Sequence, residues 1–196
     1  MTSLPPLFGL VLAGGESRRM GRDKATLVYH GRTQLEWAFA LLAKVCDSVY
    51  VSVRPDQLDE PTRATLPKIV DAQPGIGPIA GISAALGAHR DAAWIVLACD
   101  LPFLSEYALT HLIARRDASC LATAYRSTHD NLPEPLCAIW EPAAHPVVDR
   151  WIAEGQRCPR KLLMRSTVQL IDQPDDKALD NVNTPEEFTS AQAALS

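Results

Sequence analysis

Residues 7–13, Leu-Phe-Gly-Leu-Val-Leu-Ala, form an unbroken apolar run that stops abruptly at Gly14-Gly15. A strand with no polar face must be covered on both sides, so the run predicts a central strand of a parallel sheet. Further strands are expected at residues 49–53, 68–71 and 94–98, the last, Trp-Ile-Val-Leu-Ala, being the clearest. Helical periods lie between them. Thr33 is placed to cap a helix whose buried stripe is Leu35, Ala38, Phe39, Leu42 and Val45, and residues 79–89 turn Ile82, Ala85 and Leu86 inward. Strands alternating with helices imply right-handed crossovers, hence an α/β sheet with helices on both faces.

The second half is less regular. Strands are expected at residues 120–124 and 136–140, with the polar stretch 125–135 between them as a surface loop. Helices are expected at 146–154, stopped by Gly155, and at 159–164, followed by a strand at 168–171. Thr184-Pro185-Glu186-Glu187 is a capping box with proline at the first helical position, opening a C-terminal helix. At 196 residues and 47% hydrophobic content, the chain suits one sizeable core, read as a single domain.

A net charge of −4 argues against a broad electropositive footprint for nucleic acid and favours a small anionic ligand at a local basic site. No apolar run nears the roughly 20 residues that span a bilayer, and the N-terminus lacks the pattern of a signal peptide, so no membrane partner and a cytoplasmic location are expected. The cysteines, Cys46, Cys99, Cys120, Cys137 and Cys158, are odd in number and form no C-x-x-C pair, which disfavours a disulfide framework or zinc site. Cys99 and Cys120 lie in apolar runs and read as small buried hydrophobes.

Ligands of open α/β sheets bind beyond the carboxyl ends of the strands. Gly14, Asp71 and Asp100 each follow a strand and so are expected to face one crevice. Gly14-Gly15 lets backbone amides approach an anion closely, and Arg18, Arg19, Arg22 and Lys24 follow within the same short span, enough charge to bind a polyphosphate. The loop ends in no G-K-[ST] and its glycines are adjacent, so it is neither a P-loop nor a G-x-G-x-x-G fingerprint. Asp100, turned outward before Leu101-Pro102-Phe103, suits either a Mg²⁺ ligand or the cap of a helix starting near Ser105. Residues 73–81, with three glycines and two prolines, could equally read a base by their backbone or simply lead into a helix.

Together these segments resemble a known family. The stretch from Leu12 to Lys24 matches the L-A-G-G-x-x-x-R-M-G-x-D-K pattern of the molybdenum cofactor guanylyltransferases of the nucleotidyltransferase superfamily. Gly77-Pro78-Ile79-Ala80-Gly81 is similar to their G-P-[LI]-A-G, Cys99-Asp100-Leu101-Pro102-Phe103 to their C-D-x-P-[FY], and Asn181-Val182-Asn183-Thr184-Pro185-Glu186-Glu187 to their N-x-N-T-P-E-E. The first motif alone indicates the superfamily; the four in order point to the guanylyl branch.

The resemblance implies a three-layer α/β/α, Rossmann-like nucleotidyltransferase fold, with GTP as donor, molybdopterin as acceptor and Mg²⁺ as cofactor. A nucleotide half of about residues 1–104 and an acceptor half of about 105–196 follow from it. By motif, Leu12, Ala13, Gly14 and Gly15 would hold the nucleotide, with Asp71 near it, Pro78 to Gly81 its guanine, Arg19 and Lys24 its phosphates and Asp100 the metal. Arg19, Lys24 and Asp100 would be catalytic, while Asn181 and Asn183 would face the pterin. Molybdoenzymes or cofactor-insertion chaperones would be further partners. Two positions depart from the family: Ser52 stands where an asparagine often reaches the nucleotide, and residues 134–140 where many members carry His-Pro. Alternatives are a relative using CTP or another phosphate-bearing acceptor, and a non-catalytic nucleotide binder of the same fold.

Overall fold

The computed structural model describes residues 4–14, 23–29, 31–71, 73, 75–182 and 184–195. The strands are β1 (Leu7–Leu12), β2 (Val28–Tyr29), β3 (Arg32–Thr33), β4 (Ser48–Val53), β5 (Lys68–Val70), β6 (Ala93–Ala98), β7 (Ala122–Arg126), β8 (Pro133–Trp140) and β9 (Val168–Ile171). The helices are α1 (Gln34–Leu42), α2 (Pro61–Ala64), α3 (Pro78–Ala88), α4 (Glu106–Ala114), α5 (His145–Ala153), α6 (Pro159–Leu163) and α7 (Pro185–Ala194). Among the described residues, seven strands make one sheet in the order β5-β4-β1-β6-β8-β7-β9, and β2 and β3 pair as a separate hairpin. Within the large sheet β8 runs against its neighbours β6 and β7, and every other pairing is parallel. No helix among the described residues is long and apolar enough to cross a membrane.

Alternation along the central strands divides the core into two layers. On β1 and β6, Val11, Ile95 and Leu97 face α1 and α4, while Leu10, Trp94 and Val96 face α3, α5 and α6. This two-sided burial is why β1 and β6 read as continuous apolar runs. Trp94 and Trp140 stand opposite each other on β6 and β8, both fully buried; at roughly 1.5–3 kcal/mol for each large side chain removed from water, such pairs fix the register. A third, smaller cluster joins Leu27 and Tyr29 to Val182 and Ala191, so the hairpin is seated against the C-terminal segment.

The helix starts follow the sequence signals. Thr33 and Thr184 both form full capping boxes, with Glu36 and Glu187 respectively. The expected loop at residues 125–135 is shorter than its polarity suggests, because β7 continues to Arg126 and β8 begins at Pro133. Partners supplied from elsewhere in the fold satisfy the polar groups concerned: the Tyr125 hydroxyl donates to the Ala108 carbonyl at 2.6 Å, and Glu134 accepts from Arg160 at 2.6 Å. Cys120 precedes β7 and is half-buried, as is Cys99; the fully buried cysteine is Cys137. The hairpin and α2 carry no periodic signal and were not anticipated.

Candidate active site

β4, β1 and β6 are neighbours, with Leu12 paired to both Ser52 and Ala98, so their carboxyl ends lie side by side. β5 extends the same edge through its parallel pairing with β4. The segments leaving β1, β5 and β6 carry Gly14, Asp71 and Asp100, and a Cβ on Gly14 would stand 3.3 Å from Asp71 Oδ2.

Asp23 shapes the approach of Lys24. Its carboxylate accepts from the Ala25 amide at 3.0 Å and caps the single 3-10 turn Lys24–Thr26. From that turn Lys24 Nζ donates to Asp100 Oδ2 at 2.8 Å, across 76 residues of sequence. The other oxygen, Asp100 Oδ1, is buried and has no hydrogen-bond partner. A buried carboxylate oxygen without a donor is costly unless a cation meets it, and Mg²⁺ commonly takes one or two protein carboxylates beside substrate phosphate and water. The donor set therefore fits that ion, and the described residues hold no cluster of three or more acidic, histidine or cysteine ligands suited to a closed metal cage. The rival role for Asp100 is filled by Ser105, whose hydroxyl accepts from the Ala108 amide at 3.2 Å and caps α4.

Asp100 also polarises its surroundings. Burial, with the Asp100 carboxylate second, pushes the Tyr29 hydroxyl and the Cys99 thiol up to about 12. Both stay protonated at neutral pH, which removes Cys99 as a nucleophile.

Beneath Gly14 lies a polar layer. Ser52 Oγ, buried on β4, donates to Asp71 Oδ1 at 2.6 Å. Burial raises the Asp71 pKa against the opposing pull of the Ser52 hydrogen bond and the Arg54 charge. Arg54 in turn donates to the Gly14 carbonyl. Gly81, in the first turn of α3, packs directly on this layer: a Cβ there would stand 2.4 Å from Ser52 Oγ and 2.7 Å from Leu12 Cδ2. Only glycine lets α3 come so close. Gly77, at φ 84°, caps the same helix with Pro78 at its first position, so the 73–81 segment is a helix entry in its local geometry.

Pro78 and Asn181 meet in a cavity of about 260 Å³, shared with Glu134, Cys137, Cys158 and Arg160. Asn181 is brought there because the Val182 amide donates to the Asp100 carbonyl at 3.2 Å, tying the C-terminal motif to the end of β6. The cavity thus touches residues assigned from sequence to two different substrates. Gly15, Arg18, Arg19, Arg22 and Asn183 lie outside the described residues.

Sequence reasoning missed Arg54 and Arg63 and set Ser52 aside. Arg54 and Arg63 belong to a polar, proline-marked connection with no periodicity, and charge alone does not distinguish a buried arginine from a solvated one. Ser52 carried a signal, a hydroxyl in an otherwise apolar strand, since such groups are buried only with a partner.

The profile of the MobA-like NTP transferase domain matches residues 9–170. The chain is 37% identical over 186 residues to a molybdenum cofactor biosynthesis bifunctional protein of Synechocystis, covering 95% of this chain but only 54% of that longer protein. It is 35% identical over 193 residues to a probable molybdenum cofactor guanylyltransferase of Synechococcus elongatus, with 93% and 96% of the two chains covered. The crystal structure of molybdopterin-guanine dinucleotide biosynthesis protein A from Archaeoglobus fulgidus superposes with a TM-score of 0.80 at 27% identity, over 95% of this chain and 97% of that one. Sequence motifs, sheet order and these likenesses agree: the chain belongs to the MobA-like NTP transferase family.

Proposed function

We propose that this protein transfers GMP from GTP to the terminal phosphate of molybdopterin, yielding the guanine dinucleotide cofactor and pyrophosphate. One observation carries the reading: the Lys24–Asp100 pair beyond β6, an ammonium group beside a carboxylate that keeps one oxygen uncommitted. Donor and acceptor are supported by the names of the relatives, guanylyltransferases of the molybdenum cofactor.

In the reaction an acceptor phosphate oxygen attacks the α-phosphorus of GTP in line. The new P–O bond forms as the bond to the oxygen bridging the α- and β-phosphorus breaks, and pyrophosphate leaves with that electron pair. No covalent bond to the protein is needed, so its work is positioning and charge stabilisation. Lys24 and Arg19 offset charge developing on the phosphates. Leu12, Ala13, Gly14 and Gly15 present backbone to the nucleotide, with Asp71 beside it and Pro78 to Gly81 at the guanine. Asp100 would hold Mg²⁺ through Oδ1, and the ion when bound would supply Lewis-acid polarisation of the phosphates. Asn181 holds the acceptor at the 260 Å³ cavity, and Asn183, outside the described residues, is assigned to the same substrate by its motif. Residues up to about 104 serve the nucleotide and the rest the acceptor; molybdoenzymes or their cofactor-insertion chaperones are the proposed recipients of the product.

The test is pyrophosphate release by the purified chain with molybdopterin, Mg²⁺ and either GTP or CTP. Release with GTP, abolished by EDTA, is expected. Release with CTP alone overturns the donor assignment, and none with any nucleotide overturns the enzymatic reading.

A further inference from the structure

Arg63 is 0% exposed on the four-residue helix α2, although arginine is among the costliest side chains to bury. Its guanidinium meets partners through Nη1 and Nη2, while Nε is buried without a hydrogen-bond partner. Nη2 donates to the Ala13 carbonyl at 2.7 Å and to Asp23 Oδ2 at 2.8 Å, and Nη1 pairs with Glu60. Ala13 and Asp23 are the residues on either side of positions 14–22, the stretch assigned to the phosphates. One side chain therefore fixes the separation between the end of β1 and the start of the Lys24 turn.

The consequence reaches Asp100. Asp23 uses Oδ2 for Arg63 and Oδ1 for the Ala25 amide, so the guanidinium orients the carboxylate that caps the turn bearing Lys24. Lys24 Nζ then meets Asp100 at 2.8 Å. Both contacts come from Nη2, whose two hydrogens are held in the guanidinium plane, whereas an ammonium on a flexible stem holds its donors in no such fixed directions. Arg54 donates to the Gly14 carbonyl and, through Nε, to Asp56 at 3.0 Å.

We propose that Arg63 is a positioning residue for nucleotidyl transfer: buried between the end of β1 and the Lys24 turn, it clamps Ala13 to Asp23 and thereby sets the position of Lys24. The inference rests on the reading that residues 12–24 hold the donor nucleotide. It adds a role for a side chain that touches neither substrate.

The test uses the full chain with GTP, Mg²⁺ and molybdopterin. Arg63→Lys retains the charge and is expected to melt within a few degrees of wild type, yet to lose at least 10-fold in kcat/KM for GTP with the acceptor KM unchanged. Arg63→Ala is expected to lose more, and millimolar guanidinium chloride, but not equal sodium chloride, should restore part of its activity. Asp23→Asn removes the same contact from the other side without deleting the arginine. Combined with Arg63→Lys it should cost little beyond the larger single effect, because both break one link. A folded Arg63→Lys protein with wild-type kinetics overturns the inference, as does an inactive Arg63→Ala protein that guanidinium leaves unmoved. A wild type without GTP-dependent release instead overturns the nucleotide reading and this inference with it.

Discussion

Lys24 and Asp100, 76 residues apart in sequence, meet at 2.8 Å where the turn after Asp23 faces the end of β6. Both groups are about five-sixths shielded from solvent, with side-chain exposures of 16% and 18%, so the pair is neither a screened surface contact nor a fully buried one. Such a cation can be lent to a substrate phosphate when one arrives. Replacing Lys24 or Asp100 with alanine should lower kcat by two to three orders of magnitude, about 3–4 kcal/mol of transition-state stabilisation. Single-turnover pyrophosphate release measures it. A folded Asp100→Ala protein of near-wild-type activity would remove Asp100 from the chemistry.

Asp71 gives a pH signature. Its pKa is raised in the folded state, first by burial, so folded protein binds this proton more tightly than unfolded chain. Its contribution is therefore most favourable at low pH, and stability from this group falls as pH rises from the unfolded value toward the raised one. Asp71→Asn can still accept from Ser52 and removes that slope. The stability of the variant relative to wild type should increase between about pH 4 and neutrality; urea unfolding at several pH values tests this, and a flat difference refutes it.

Gly81→Ala would drive a methyl group into Ser52 and Leu12. Overpacking at a backbone-to-side-chain contact costs about 1–3 kcal/mol, and the displaced Ser52 would disturb Asp71. A drop of that size in unfolding free energy, together with a raised KM for GTP, is the expected result.

Arg116 and Glu141 provide a control away from the site. Arg116 Nε and Nη2 donate to the two Glu141 oxygens at 2.7 and 2.9 Å, and Nη1 donates to the Pro5 carbonyl at 3.0 Å, all in a buried setting. Glu141→Ala leaves a buried guanidinium without its carboxylate and should cost about 3–5 kcal/mol. At a temperature where the variant is still folded, kcat should match wild type.

Glu134 lines the 260 Å³ cavity and is held by Arg160 at 2.6 Å. Glu134→Gln keeps the shape and loses the charge. The expected outcome is a several-fold higher KM for the acceptor with the GTP KM unchanged, read from initial rates with each substrate varied in turn.

Where burial is two-sided or a capping box is present, the sequence is legible. β1, β6, α1 and α7 are found where apolar runs and the Thr33 and Thr184 signals place them. Lys24, Asp71 and Asp100 were readable because each follows such a strand or its glycine turn. The rest depends on contacts with distant segments. Arg63 looks like any charged residue of a loop until Ala13 and Asp23 are seen to close on it, and Ser52 looks like an accident of composition until Asp71 faces it. β8 was underread at its start because Glu134 is neutralised by Arg160, 26 residues further along the chain.

The reversed direction of β8 brings its start, not its end, beside the exit of β6. Beside β6, whose exit supplies Asp100, β8 contributes its entrance, residues 134–137, to the 260 Å³ cavity. Gly14 and Asp100 thus follow strand departures, whereas residues 134–137 enter the cavity on a strand arrival, fed by the short connection at residues 127–132. None of Lys24, Asp71 and Asp100 lies on that connection, so the proposed function predicts that editing its length or composition alters acceptor choice before donor choice.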